Sequence, residues 1–286
     1  MKEHQETDMS TPVKRRKKEP DEFARLCDKL NIVDLFISLQ GEGKYIGIPS
    51  LFIRVSGCNL RCCFKDTVCD TAYSSFNPER GKFSKDDVVN MLYGNPNISD
   101  IVITGGEPLM FGEELDDLIE YIGCALDIDY RITIETNGTY MPISSYVDLY
   151  SISPKLSTSI PVPDKPYHYT RDGKVLAKTF TKDEVDKLNK TRYNPDAIAA
   201  LMEEADFQLK FVYSGPESLN DIDELLDTLN KMGKSIYSED IMLMPEGVTA
   251  EQINKNGREA AKICIERGWR FADRLHIRLW GDKRGV

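Results

Sequence analysis

Ser50-Leu51-Phe52-Ile53-Arg54-Val55-Ser56-Gly57-Cys58-Asn59-Leu60-Arg61-Cys62-Cys63-Phe64-Lys65-Asp66-Thr67-Val68-Cys69-Asp70-Thr71 joins a short apolar run to a loop with four cysteines within twelve residues. The run Ser50–Val55, rich in β-branched and aromatic side chains, predicts a strand. The loop behind it can wrap several thiolates around one centre, and thiolates are the natural ligands of iron–sulfur clusters. In parallel β/α architectures the chemistry gathers at the C-terminal ends of the strands. Further strands that end in unusual residues therefore point to one shared site.

Five more runs read as strands: Asp100–Thr104, Arg131–Glu135, Leu149–Ser153, Phe207–Val212 and Asp240–Met244. Helical spacing of apolar residues falls between them, at Glu113–Leu126, Glu217–Met232 and Thr249–Arg267, and Ser84-Lys85-Asp86-Asp87 resembles a capping box opening a helix to about Tyr93. Strand-then-helix alternation predicts an α/β fold with a parallel sheet, here an incomplete TIM-type β/α barrel of about six strands.

The 286 residues and 41% hydrophobic content suit one catalytic domain, expected over 31–286. Residues 1–20 hold the run Lys14-Arg15-Arg16-Lys17-Lys18 among polar neighbours and read as a mobile basic arm, with a lead-in to residue 30. Residues 156–206, with Pro161, Pro163, Pro166 and Tyr167-His168-Tyr169, break the rhythm and read as an insertion. A formal charge of −10 argues against nucleic acid as a partner of the body. No run approaches the roughly 20 apolar residues that cross a bilayer, and no apolar secretory run opens the chain, so a cytoplasmic protein is expected. Seven cysteines are then kept reduced, and Cys27, Cys124 and Cys264 read as buried small hydrophobes.

Cys58 and Cys62 are spaced Cys-x3-Cys, and the position three beyond Cys62 is Lys65, which supplies no thiolate. A third ligand comes from Cys69 or, alternatively, Cys63. Zinc is the competing occupant, but it takes four ligands in paired hooks, and no second hook or neighbouring His accompanies these cysteines. The second strand runs into Thr104-Gly105-Gly106-Glu107-Pro108, where glycines let the backbone approach a ligand and Glu107 offers an acceptor for an ammonium. The third ends in Glu135-Thr136-Asn137-Gly138, the fourth in Ser153-Pro154-Lys155 and the sixth in Met244-Pro245.

The cysteine spacing with Cys69-Asp70-Thr71 and the Gly-Gly-Glu-Pro segment resembles the radical S-adenosylmethionine (SAM) superfamily. Within it, Ser38-Leu39-Gln40-Gly41-Glu42-Gly43 and the ending Leu275-His276-Ile277-Arg278-Leu279-Trp280-Gly281-Asp282-Lys283-Arg284-Gly285-Val286 look like the 7-carboxy-7-deazaguanine synthase family, from about Val33 to Val286. The resemblance implies a [4Fe–4S] cluster on Cys58, Cys62 and Cys69 whose open iron chelates SAM. It implies a SAM site of Gly105, Gly106, Glu107, Pro108, Glu135, Ser153, Pro154, Lys155 and Met244, and Mg2+ at Thr71.

The implied substrate is 6-carboxy-5,6,7,8-tetrahydropterin. Reductive cleavage of SAM would give a 5′-deoxyadenosyl radical that abstracts hydrogen from C6; ring contraction, return of the hydrogen and loss of ammonia would yield 7-carboxy-7-deazaguanine, a step toward queuosine and related 7-deazapurines. Arg54 suits the substrate carboxylate because a guanidinium fork matches it in a bidentate way. Leu39, Gln40, Gly41 and Glu42 would meet the ring edge, with Thr104, Val286 and His276, read on an apolar strand, completing the pocket. A homodimer and an electron donor such as flavodoxin or ferredoxin are implied in the same way. Two other readings compete: a glycyl-radical enzyme activase, which needs a broad groove for a protein loop, and a zinc-stabilised module reaching nucleic acid with the basic arm.

Overall fold

A computed structural model describes residues 30–286 apart from 66, 127 and 172. The expected arm and Cys27 lie outside the described residues. The chain enters along β1 (Ile32–Leu39) and turns back into β2 (Pro49–Val55), antiparallel, with Leu35 opposite Ile53. A small hairpin, β3 (Cys63–Phe64) and β4 (Thr67–Val68), interrupts the cysteine loop. Then come β5 (Asp100–Gly105), β6 (Arg131–Thr136) and β7 (Leu149–Ile152). After a second hairpin of β8 (Pro166–Arg171) and β9 (Lys174–Thr179), the chain returns through β10 (Asp206–Tyr213), β11 (Ile241–Pro245) and β12 (Arg270–Phe271).

The main sheet runs β1-β2-β5-β6-β7-β10-β11-β12, and every neighbouring pair after β1–β2 is parallel. All six expected strands are present within two residues of their expected ends. The eight-stranded sheet adds β1 and the two-residue β12, too short to carry a period. The crossover helices are those expected: Lys85–Tyr93, opened by a reciprocal Ser84–Asp87 capping box, Gly112–Leu126, Glu217–Lys231 and Ala250–Arg267, opened by Thr249 and Gln252.

Alternation along the strands separates a packed face from a functional one. Leu51, Ile53, Ile103, Ile134, Ile152, Leu209, Phe211 and Leu243 enter the main apolar core. Each such side chain contributes about 1.5–3 kcal/mol when fully buried. The residues between them, Phe52, Arg54, Thr104, Glu135, Ser151, Lys210, Val212 and Met244, line a cavity on the other face.

Three expectations change in detail. Cys264 is buried as expected, but Cys124 is exposed. The helix Pro195–Glu204, inside the expected insertion, buries Ile198 and Leu201 in the main core and serves as the crossover between β7 and β10. The part that leaves the repeat is the β8–β9 hairpin with the helix Lys182–Thr191. His276 sits on a helix, Leu275–Trp280, rather than a strand. Its apolar neighbours do not form a buried strand face: Ile277 is buried, whereas Leu279 is 51% exposed.

Candidate active site

The cysteine loop leaves β2 at its C-terminal end, and the hairpin β3–β4 absorbs the unusual spacing. Its extra residues fold back so that the Cys69 amide donates to the Cys62 carbonyl at 3.0 Å. The six-residue gap thereby closes, with Lys65 exposed at the turn. Cys58, Cys62 and Cys69 line one cavity of about 620 Å³. Cys63 turns away; it is 1% exposed and packs with Tyr167, Phe180 and Val185 in an apolar cluster of its own.

Burial drives the thiol pKa values up: Cys58 and Cys69 are raised, and Cys62 is pushed up to about 12. The neighbouring thiols add to the rise at Cys58 and Cys62, while at Cys69 the charge of Asp70 does so. Thiolates there need a compensating positive charge, which iron supplies. Three cysteine thiols share the cavity while Cys63 packs away from it, a donor set that suits an iron–sulfur cluster, whereas structural zinc takes four Cys or His ligands.

Gly105 and Gly106 bring the end of β5 against this loop. A Cβ on Gly106 would stand 2.0 Å from the Gly57 carbonyl oxygen, and Gly105 has φ +146° with the Val55 carbonyl 2.1 Å from where its Cβ would be. Glu107 was expected to face the cavity; it does not. It is fully buried and accepts from the Asn137 amide at 2.6 Å, the Thr136 hydroxyl at 2.7 Å and the Leu109 amide at 3.1 Å, tying the ends of β5 and β6 together. Burial raises its pKa. Pro108 and Pro154 also lie behind the lining, whereas Gly105, Gly106, Glu135, Ser153, Lys155 and Met244 form part of it. The Lys155 ammonium donates to the Ser153 hydroxyl at 2.8 Å.

Leu39, Gln40, Gly41, Glu42, Arg54, Thr104, His276 and Val286 line the same cavity, as does Thr71. Gly41 is required by close approach, since a Cβ there would stand 2.1 Å from His276 Nδ1. Glu135 accepts from the Thr104 hydroxyl at 2.8 Å and the Gln40 amide at 3.2 Å, so it borders both expected subsites. Arg54 Nε lies 3.3 Å from Asp34 Oδ2, which also accepts from the Tyr73 hydroxyl. The Thr71 hydroxyl is 3.2 Å from Cys69 Sγ. Burial lowers the pKa of His276 and favours its neutral form.

Sequence reasoning missed the charges that organise this wall. The Lys210 ammonium donates to Glu42 Oε2, and Arg274 Nε donates to Glu42 Oε1 at 3.1 Å. Burial alone would raise the pKa of Glu42, but the charges of Lys210 and Arg274 hold its carboxyl well below the usual range. Lys210 is the one charged residue in the run Phe207–Val212 and sits at an inward position, a signal that could have marked it.

A family profile described as a 4Fe-4S single cluster domain matches residues 39–149. The curated 7-carboxy-7-deazaguanine synthase of Halobacterium salinarum is 36% identical over 254 residues, 88% of this chain and 91% of its own length. That of Rhodopirellula baltica is 33% identical over 276 residues, 96% of each. The crystal structure of QueE from Escherichia coli shares the fold, with a TM-score of 0.58 at 22% identity, over 90% of this chain and all of that one. The chain therefore belongs to the 7-carboxy-7-deazaguanine synthase family and is a radical SAM enzyme.

Proposed function

We propose that the protein converts 6-carboxy-5,6,7,8-tetrahydropterin to 7-carboxy-7-deazaguanine and ammonia, with a [4Fe–4S] cluster on Cys58, Cys62 and Cys69. The observation that carries the reading is the common cavity: the three cysteines, six of the expected SAM residues (Gly105, Gly106, Glu135, Ser153, Lys155 and Met244) and every residue expected to meet substrate line one space. Its size suits a small ligand beside SAM.

The cluster and SAM, when bound, supply the one-electron chemistry that removes a hydrogen atom from the substrate. The chain's own residues bind and orient. Arg54 receives the substrate carboxylate, its Nε held by Asp34 alone at 3.3 Å and making no hydrogen bond. Glu42, kept ionised, accepts only and so selects N–H donors on the pterin edge. Gln40 fixes the loop, its carbonyl taking the Glu42 amide at 3.1 Å. Neutral His276 packs beside them, Thr71 offers a hydroxyl to Mg2+, and Glu135 and Lys155 hold the SAM ribose and carboxylate.

We read the sheet as an incomplete β/α barrel whose strand ends surround this cavity, and the protein as a cytoplasmic homodimer served by a flavodoxin- or ferredoxin-type donor. The segment Gly281–Val286 covers part of the cavity, which supports a small substrate over the protein loop of an activase. Anaerobically reconstituted protein given SAM, a reductant and the carboxytetrahydropterin should release ammonia and the deazaguanine, read by mass spectrometry. Absence of both with an intact cluster overturns the proposal.

A further inference from the structure

One buried guanidinium joins three segments that are remote in the chain. Arg274 is 8% exposed. Its Nε donates to Glu42, its Nη2 to Asp70 Oδ2 at 2.6 Å and its Nη1 to the Gly247 carbonyl. Glu42 belongs to the loop after β1, Asp70 to the cysteine loop and Gly247 to the loop after β11. Three different nitrogens make the three contacts, a planar fork that a lysine ammonium does not reproduce.

We propose that Arg274 is a positioning residue that fixes the direction of the Glu42 carboxylate and the place of Asp70 together, and so holds the substrate subsite at a constant distance from the cluster loop. This rests on the reading of the cavity as a pterin site. Glu42 takes Lys210 on one oxygen and Arg274 on the other, so only its remaining lone pairs face a ligand, and their direction follows the two cations. Asp70 stands between Cys69 and Thr71, so the same guanidinium ties the end of the cluster loop to the substrate loop. Reactions between bound groups need near-attack distances, and a displacement of about 1 Å can cost about a hundredfold in rate.

Arg274→Lys keeps the charge and removes the fork; Arg274→Ala leaves a space that free guanidinium can fill. The holoenzyme with SAM and no reductant does not turn over, so calorimetry reads affinities for the carboxytetrahydropterin and for SAM, alongside iron and sulfide content. In Arg274→Lys, iron content and SAM affinity should be retained while pterin affinity falls about 10- to 100-fold, the scale of lost hydrogen bonds between charged groups. Guanidinium should restore pterin affinity to Arg274→Ala.

Wild-type pterin affinity in Arg274→Lys overturns the inference, as does joint loss of iron, SAM and pterin binding, or of the fold, in both variants, since the residue would then be a structural pillar. Wild-type protein that binds no pterin removes the proposed function and this inference with it. Binding by the wild type with an unaffected lysine variant removes the inference alone.

Discussion

The two walls of the cavity are held in different ways. On the cysteine side, the β3–β4 hairpin rests on rings from the insertion: Phe76 meets Tyr169 at 5.3 Å and Phe180 at 6.0 Å, and Tyr167 meets Phe180 edge-on at 6.3 Å, with Cys63 buried among them. On the opposite side, Glu42, Lys210 and Arg274 form a largely buried lattice of ion pairs, which Arg274 extends to the more exposed Asp70 of the cysteine loop. Apolar packing is non-directional and holds a loop in place without dictating where each atom points. Buried ions must be paired in good geometry to offset their desolvation, and once paired they aim one another. A cluster needs three sulfurs on one wall, which packing can deliver; a flat heterocycle needs acceptors with set directions, which the lattice delivers.

The largest effect that tests this contrast comes from the two cysteines at the ends of the hairpin. Cys69→Ala should abolish cluster retention, read as iron and sulfide per protein after reconstitution, because Cys69 lines the cavity. Cys63→Ala should keep the cluster and lower stability by about 1 kcal/mol, the order of one buried apolar group. Retention in the first and loss in the second would move the third ligand to Cys63 and break the account of that wall.

On the charged wall, Lys210→Met should lower stability by about 3 kcal/mol, the low end for breaking a buried pair, because Arg274 still faces Glu42. Denaturant midpoints at neutral pH measure it, and pterin affinity should fall with it while iron content stays. The sign at Lys210 is consistent: burial lowers its pKa, but Glu42 and Glu135 overcome that and raise it, so the ammonium is charged at any pH where the protein is assayed. A stability change within a few tenths of a kcal/mol would mean that packing, not charge, holds this wall as well.

The same contrast explains what the sequence showed and what it hid. The strands were legible because apolar runs such as Ile101 to Ile103, buried on both faces, stand out, and the motifs because Gly-Gly-Glu-Pro and Gln-Gly-Glu-Gly are odd residues at strand ends. The closure of the Cys62–Cys69 gap was not, since strands of two residues carry no period. Lys210 and Arg274 were missed because their partner Glu42 is 168 and 232 residues away, beyond any local pattern. The burial of Glu107 was hidden in the opposite sense: an acidic residue at a turn reads as accessible, yet the end of β6 folds over it and supplies donors to it.

The smallest expected effect lies at the rim, where charge is only half-buried. Arg284, in the segment covering the cavity, gives both terminal nitrogens to Glu79 at 3.0 Å and its Nε to Asp34 at 2.8 Å, and stacks 3.6 Å over the Tyr73 ring. Hydrogen bonds from Arg284 lead the effects that take the Glu79 pKa from 4.5 to about 2, against the opposing effect of burial. Because the folded value is depressed, the stabilisation is complete above pH 4.5 and is lost as pH falls from 4.5 through about 2. Arg284 keeps 35% of its side chain exposed, so the contribution should be about 1 kcal/mol at most. Urea midpoints of wild type and Arg284→Met should therefore differ at neutral pH and converge as pH falls through that window. Parallel curves would show that the latch rests on the Tyr73 stacking and not on Glu79, moving the rim to the apolar side of the comparison.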